Sequence, residues 1–210
     1  MIQCKNITLQ QGEKTIFKDF SLEVKAKERL VVVGDSGAGK STLLRLIAGF
    51  IAPDKGEIVI DTQLATQDQN ILIPPNQRDI SMIFQDLALW PHMDVQGNIA
   101  FGLKIQKVTK PKQQEKVKEM LSMVGLEGYE KRSIETLSGG EQQRVALARA
   151  LALSPKIILM DEPLSSLDTS RNKQLRQHIV TLQERLGFTL VYVTHNEEEA
   201  KEIATKMLYL

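Results

Sequence analysis

The chain has a single cysteine, Cys4, in 210 residues. No disulfide framework is available to it, and one unpaired thiol fits a reducing compartment better than a secreted one. Excess charge is missing as well: 27 Lys and Arg against 26 Asp and Glu leave a net charge of +1. That balance gives no general attraction to a polyphosphate or an anionic membrane, so a nucleic-acid partner is not expected. The opening MIQCKNITLQQGEK contains no apolar stretch of the signal-peptide kind. Its most apolar runs, Leu30 to Val33, Leu46 to Ala52 and Ile157 to Met160, fall far short of the roughly 20 residues that span a bilayer. If the protein serves a membrane, something else crosses it.

What is present is the profile of a globular domain, with 42% apolar and 25% charged side chains. A chain of this size buries roughly 70% of its unfolded surface and needs neither disulfides nor a structural metal. The first third reads as strands, Ile2 to Leu9, Ile16 to Val24 and Arg29 to Val33, with turns at Gln11-Gly12 and Ala26-Lys27. A partly antiparallel opening follows. Leu30 to Val33 lacks alternation, which marks a strand buried on both faces. The polar stretch Asp61 to Gln77, with Pro74-Pro75, reads as a mobile surface connection between strands at Glu57 to Ile60 and Ile80 to Phe84. Val117, Met120, Leu121 and Val124 recur at helical spacing, so residues 86 to about 153 read as a helical insertion. From Lys156 the order becomes strand (Ile157 to Met160), helix (Thr169 to Leu186), strand (Thr189 to Thr194), helix (Glu197 to Ala204) and strand (Lys206 to Leu210). The fold class is α/β with a mainly parallel sheet, and no internal repeat is present.

Gly34-Asp35-Ser36-Gly37-Ala38-Gly39-Lys40-Ser41 is G-x-x-x-x-G-K-S between a buried strand and a helix that continues through Thr42. In that context its glycines let backbone N–H groups converge on phosphate oxygens, and the helix N-terminus adds its dipole. Lys40 then reaches the β and γ phosphates, and the Ser41 hydroxyl ligates Mg²⁺. Ile157 to Met160 is an apolar strand ending in Asp161-Glu162. Asp161 suits a contact to Mg²⁺, while Glu162 suits polarising an attacking water; the bland alternative is a turn begun by acids before Pro163. Leu137-Ser138-Gly139-Gly140-Glu141 opens another helix. Ser138 and Glu141 have capping-box spacing, but the two glycines cost up to roughly 1 kcal/mol each against alanine. Close approach of another group to that backbone is the better account of them, and a helix end stripped of side chains is itself an anion site.

These motifs resemble the ATP-binding cassette family, in which the Walker A loop at 34 to 41, LSGGE at 137 to 141, Asp161-Glu162, Ser165-Ser166-Leu167-Asp168 and Thr194-His195 stand in the family's order. The resemblance covers essentially the whole chain. It implies a P-loop NTPase with a RecA-like core and antiparallel β subdomain, about 1–85 and 154–210, and an inserted helical subdomain, about 86–153. It implies Mg²⁺-dependent ATP hydrolysis in a head-to-tail dimer, with Ser138, Gly139 and Gly140 meeting the partner's nucleotide. Gln85 matches the glutamine that touches Mg²⁺, and His195 matches the histidine that contacts the γ-phosphate; His92 and His178 are left as structural or surface residues. The family stacks adenine on an aromatic where this chain has Gln11, and Phe17 is the nearest aromatic candidate. Phe84 to Val95 and Asn98 to Gly102 are similar to the ATPases of binding-protein-dependent importers. That likeness implies permease subunits, an external solute-binding protein and a peripheral place on the cytoplasmic membrane face. Leu87, Leu89 and Trp90 would sit where such permeases dock, the alternative being a core cluster. Many importer subunits continue into a regulatory barrel; this sequence stops at Leu210, and no such domain is expected. Competing readings are an exporter or lipid-extraction ATPase, a soluble ATPase of the same family, and a P-loop kinase, against which the LSGGE helix argues.

Overall fold

The computed structural model describes residues 1–164 and 169–210, with side chains outside 165–172. The expected Ser165 to Asp168 motif lies outside the described residues. Among the described residues, ten strands form two five-stranded sheets. The first is antiparallel, in the order β2 (Lys14–Val24), β1 (Ile2–Gln11), β4 (Lys55–Ile60), β5 (Gln63–Gln67) and β6 (Asn70–Ile71). The second is parallel throughout, in the order β10 (Lys206–Tyr209), β3 (Arg29–Val33), β9 (Thr189–Thr194), β8 (Ile157–Asp161) and β7 (Ile80–Ile83).

The strands at the centre of the parallel sheet are buried along nearly their whole length. Their non-alternating apolar sequences follow from cover on both faces. Leu30, Val32, Ile157, Leu159, Val191 and Val193 point toward helix α1 (Lys40–Ala48) and the antiparallel sheet. Val31, Val33, Ile158, Met160, Leu190 and Tyr192 point the other way. There they meet α2 (Val95–Ile105), α3 (Lys110–Met123), α4 (Gly139–Ala152), α5 (Thr169–Leu186) and α6 (Glu197–Ile203). Period-2 geometry thus divides one sheet between two cores.

Asp61 to Gln77 departs from its expected form. Instead of a surface connection it contains β5, β6 and a short 3-10 turn at Pro75–Gln77. The physical reason is Arg78, only 3% exposed. Its guanidinium donates to the carbonyls of Leu46, Ile47, Ala65 and Ile73 and to Thr66 Oγ1 at 2.7 Å. A buried hydroxyl with such a donor costs little, so Thr66 sits inside a strand whose composition looks like loop. Asp68 turns the hairpin in the left-handed region, at φ 48°.

Candidate functional site

Because β3, β7, β8 and β9 run parallel, their carboxyl ends lie along one edge of the sheet. Val33 pairs with Thr194, Asp161 with Val193, and Ile83 with Met160. The loop from Gly34, the Gln85 turn, the acids after Met160 and His195 all leave from that edge, where open α/β sheets hold ligands.

The 34–41 loop is shaped by two constraints. Gly39 caps α1 at φ 103°, and a Cβ there would lie 2.9 Å from Ile16 Cγ2. A Cβ on Gly34 would lie 2.5 Å from the carbonyl of Leu210, the residue after β10, whose N–H donates to the Val33 carbonyl at 2.9 Å. Lys40 is 5% exposed; its Nζ donates to the Gly34 carbonyl at 2.7 Å and the Asp35 carbonyl at 2.9 Å, and lies 3.5 Å from Glu162 Oε1. Ser41 Oγ donates to Asp161 Oδ1 at 2.9 Å, joining the start of α1 to the end of β8. Burial pushes the Asp161 carboxyl up from its ordinary value, with the Ser41 bond opposing and the nearby Glu162 charge adding to the rise.

Glu162 occupies the left-handed region at φ 42°, uncommon for a residue with a Cβ. Its N–H donates to the Val193 carbonyl at 3.1 Å, and its Oε2 lies 3.0 Å from His195 Nδ1. The carboxylate therefore sits between a buried ammonium and an imidazole. A cavity of about 450 Å³ collects Ser36, Gly37, Gly39, Lys40, Ser41 and Thr42 with Gln85 and Glu162. Its remaining wall is Gln11, Lys14 and Ile16. Sequence reasoning missed Lys14, whose Nζ donates to the Gly37 carbonyl at 3.0 Å; nothing in its spacing marks it.

Phe17 does not line this cavity. It is 4% exposed, with its ring 5.0 Å from that of Phe20 and against the backbone of Gly39. The β2 register turns it into the core beneath the loop, so its faces are already covered and the expected adenine contact is not available to it.

Ser138, Gly139 and Gly140 are not among the residues that line the cavity at the 34–41 loop. Ser138 and Glu141 do form a capping box: the Ser138 N–H donates to Glu141 Oε2 at 2.7 Å, and the Glu141 N–H donates to Ser138 Oγ at 3.4 Å. The Tyr129 hydroxyl donates to the same carboxylate at 2.7 Å, and these bonds hold Glu141 down at about 2. Ser138 and Gly140 open onto a second cavity of about 550 Å³, shared with Arg144 and with Leu175 and His178 of α5. Within one chain, the two helix ends line different cavities.

Leu87 is buried in the core, and Leu89 packs partly buried against it. The core alternative therefore holds for Leu87. Trp90 is half-buried, its ring 4.3 Å from Phe101 and 5.0 Å from the Arg149 guanidinium. Arg149 also donates to the carbonyls of Leu87 and Ala88, each at 2.6 Å, bracing the turn after Gln85 against α4.

A family model described as ABC transporter matches residues 17–165. The chain belongs to the ABC transporter family. Among its ABC relatives, the spermidine/putrescine import ATP-binding protein PotA of Clostridium acetobutylicum is 43% identical over 211 residues, covering 100% of this chain and 58% of the relative. The Fe(3+) ions import ATP-binding protein FbpC of Pasteurella multocida is 42% identical over 206 residues, covering 98% of this chain and 58% of the relative. The dimeric structure of MJ0796, a bacterial ABC transporter cassette, superposes with a TM-score of 0.86 at 33% identity, covering 100% of this chain and 94% of that one. The fold is thus the P-loop NTPase fold of ABC cassettes, and the chain spans 58% of the length of those two import relatives.

Proposed function

We propose that the chain is the ATP-binding and ATP-hydrolysing module of an ABC importer. The observation that carries this reading is the 2.9 Å bond from Ser41 to Asp161, made beside a buried lysine and the Glu162–His195 pair. A glycine-rich turn without a ligand has no need of a strand-end carboxylate brought to its hydroxyl. In the proposed reaction, the amides of residues 36–42 and the α1 N-terminus hold the phosphates, and Lys40 neutralises charge on the transferred group. Glu162 accepts the proton of the attacking water, and His195 contacts the γ-phosphate while orienting Glu162. Gly34, Asp35 and Ala38 shape the loop.

Ser41, Asp161 and the Gln85 amide are an oxygen-only donor set of the kind a hard divalent cation takes, with water and phosphate oxygens completing its shell. Mg²⁺ bound there would withdraw charge from the phosphate oxygens.

Ser138 and Gly140 line a cavity that shares no residue with the one at their own 34–41 loop, and with Gly139 they are assigned to the site of a second copy of the chain. Permease subunits are assigned to the groove of about 420 Å³ between α2 and α3, lined by Met93, Gly97, Ala100, Phe101, Lys104 and Gln113 and adjoining Trp90 through Phe101. Among the described residues no helix is long and apolar enough to cross a membrane. Attachment at the cytoplasmic face through those permeases is the arrangement proposed, with residues 86–153 as the docking subdomain on the core of 1–85 and 154–210. Import is what the names of the two relatives share, and import of a solute is assigned on that basis. An external binding protein that delivers it is proposed on the likeness of Phe84 to Val95 and Asn98 to Gly102 to importer ATPases.

Glu162→Gln tests the reading. Steady-state hydrolysis should fall by ~10²-fold or more, the scale of a lost general base, while ATP affinity stays near wild type. Equal loss of binding and turnover would make Glu162 structural instead.

A further inference from the structure

Glu199 is 6% exposed, whereas its neighbours Glu197 and Glu198 on α6 are open to solvent. A buried carboxylate is costly unless it is paired and hydrogen-bonded, and Glu199 is both. Its Oε2 accepts from Thr194 Oγ1 at 2.8 Å and from the Tyr192 hydroxyl at 3.1 Å. Its Oε1 lies 3.9 Å from Arg176 of α5, which is itself held by Glu202 at 2.6 Å.

Thr194 is the last residue of β9, and its hydroxyl also accepts the Asn196 N–H at 3.0 Å. One hydroxyl therefore spans the turn that carries His195. The His195 side chain is 59% exposed, and among the described residues its one hydrogen bond is to Glu162. Packing does not aim that ring; its backbone turn must. We infer that Glu199 is a positioning residue for His195, fixing the turn through the Thr194 hydroxyl and tying it through Arg176 to α5. The inference rests on the reading of His195 and Glu162 as groups that act on ATP.

The test uses the purified full chain, with single-turnover ATP hydrolysis, ATP affinity and thermal melting read on each variant. Thr194→Val and Glu199→Ala should slow hydrolysis by ~10-fold or more at unchanged ATP affinity, a loss of transition-state stabilisation without loss of binding. Glu199→Gln keeps an oxygen able to accept from both hydroxyls and should restore most of the rate. Tyr192→Phe removes the other hydroxyl and should lower the melting temperature without slowing hydrolysis. In a His195→Ala background, Thr194→Val should cost no further rate, because residues acting through one group are not additive. A wild-type rate for Thr194→Val would overturn the inference, and so would losses that multiply in the His195→Ala background. Wild-type turnover by His195→Ala itself would overturn the underlying reading of the histidine. Should Glu199→Ala fail to fold, the near-isosteric Thr194→Val decides.

Discussion

Phe17 illustrates how a residue's neighbours in space decide a role that its neighbours in sequence suggest otherwise. It is the aromatic nearest to Gln11 and stands close to the 34–41 loop, yet its ring lies under Gly39 and beside Phe20 with 4% exposure. Register shifts in the β1–β2 ladder between Ile7 and Gln10 decide which side chains turn inward, and no local pattern announces them. Phe17→Ala should therefore act on stability, costing roughly 3–5 kcal/mol as buried Phe→Ala changes do. Urea unfolding reads that loss. Nucleotide affinity, measured where the variant remains folded, should stay near wild type; a large fall in affinity with stability intact would return Phe17 to the base. Lys40, Ser41 and the acids at 161 and 162 were legible for the opposite reason. Their chemistry fixes both residue type and spacing, and parallel strands bring their ends to one edge whatever the loops do.

Among the elements, the buried strands and the helices with apolar stripes were readable because burial on one or both faces imposes a period on sequence. The β5–β6 hairpin was not. Its inward positions include Thr66, a polar residue made acceptable by a guanidinium that arrives from Arg78, well beyond the strand. The same group bonds the last carbonyls of α1 and leaves no room for a side chain at Gly49, where a Cβ would run into its Cζ. Burial pulls the Arg78 guanidinium down to about 10, leaving it charged at neutral pH. Arg78→Ala should destabilise the fold by roughly 3 kcal/mol or more, since several buried acceptors lose their donor together. Amide hydrogen exchange should show the loss centred on β5, β6 and the end of α1. Uniform exchange protection across those segments would mean the hairpin holds without its arginine.

At the scale of the whole molecule, two bare helix ends face two different cavities, one lined by the 34–41 loop and one by Ser138 and Gly140. The motifs were readable in sequence; their separation within one chain was not, because it depends on how the helices at 95–152 pack against the parallel sheet. That separation is the physical case for a shared site, in which the loop of one chain and the helix end of another enclose one nucleotide. Sedimentation of the Glu162→Gln protein with and without ATP tests this most directly, since blocked hydrolysis holds the closed state. The account predicts a monomer without nucleotide, a dimer with ATP, and a return to monomer when Ser138→Arg fills the space the phosphate needs. A protein that stays monomeric with ATP, at concentrations well above its nucleotide affinity, would contradict it.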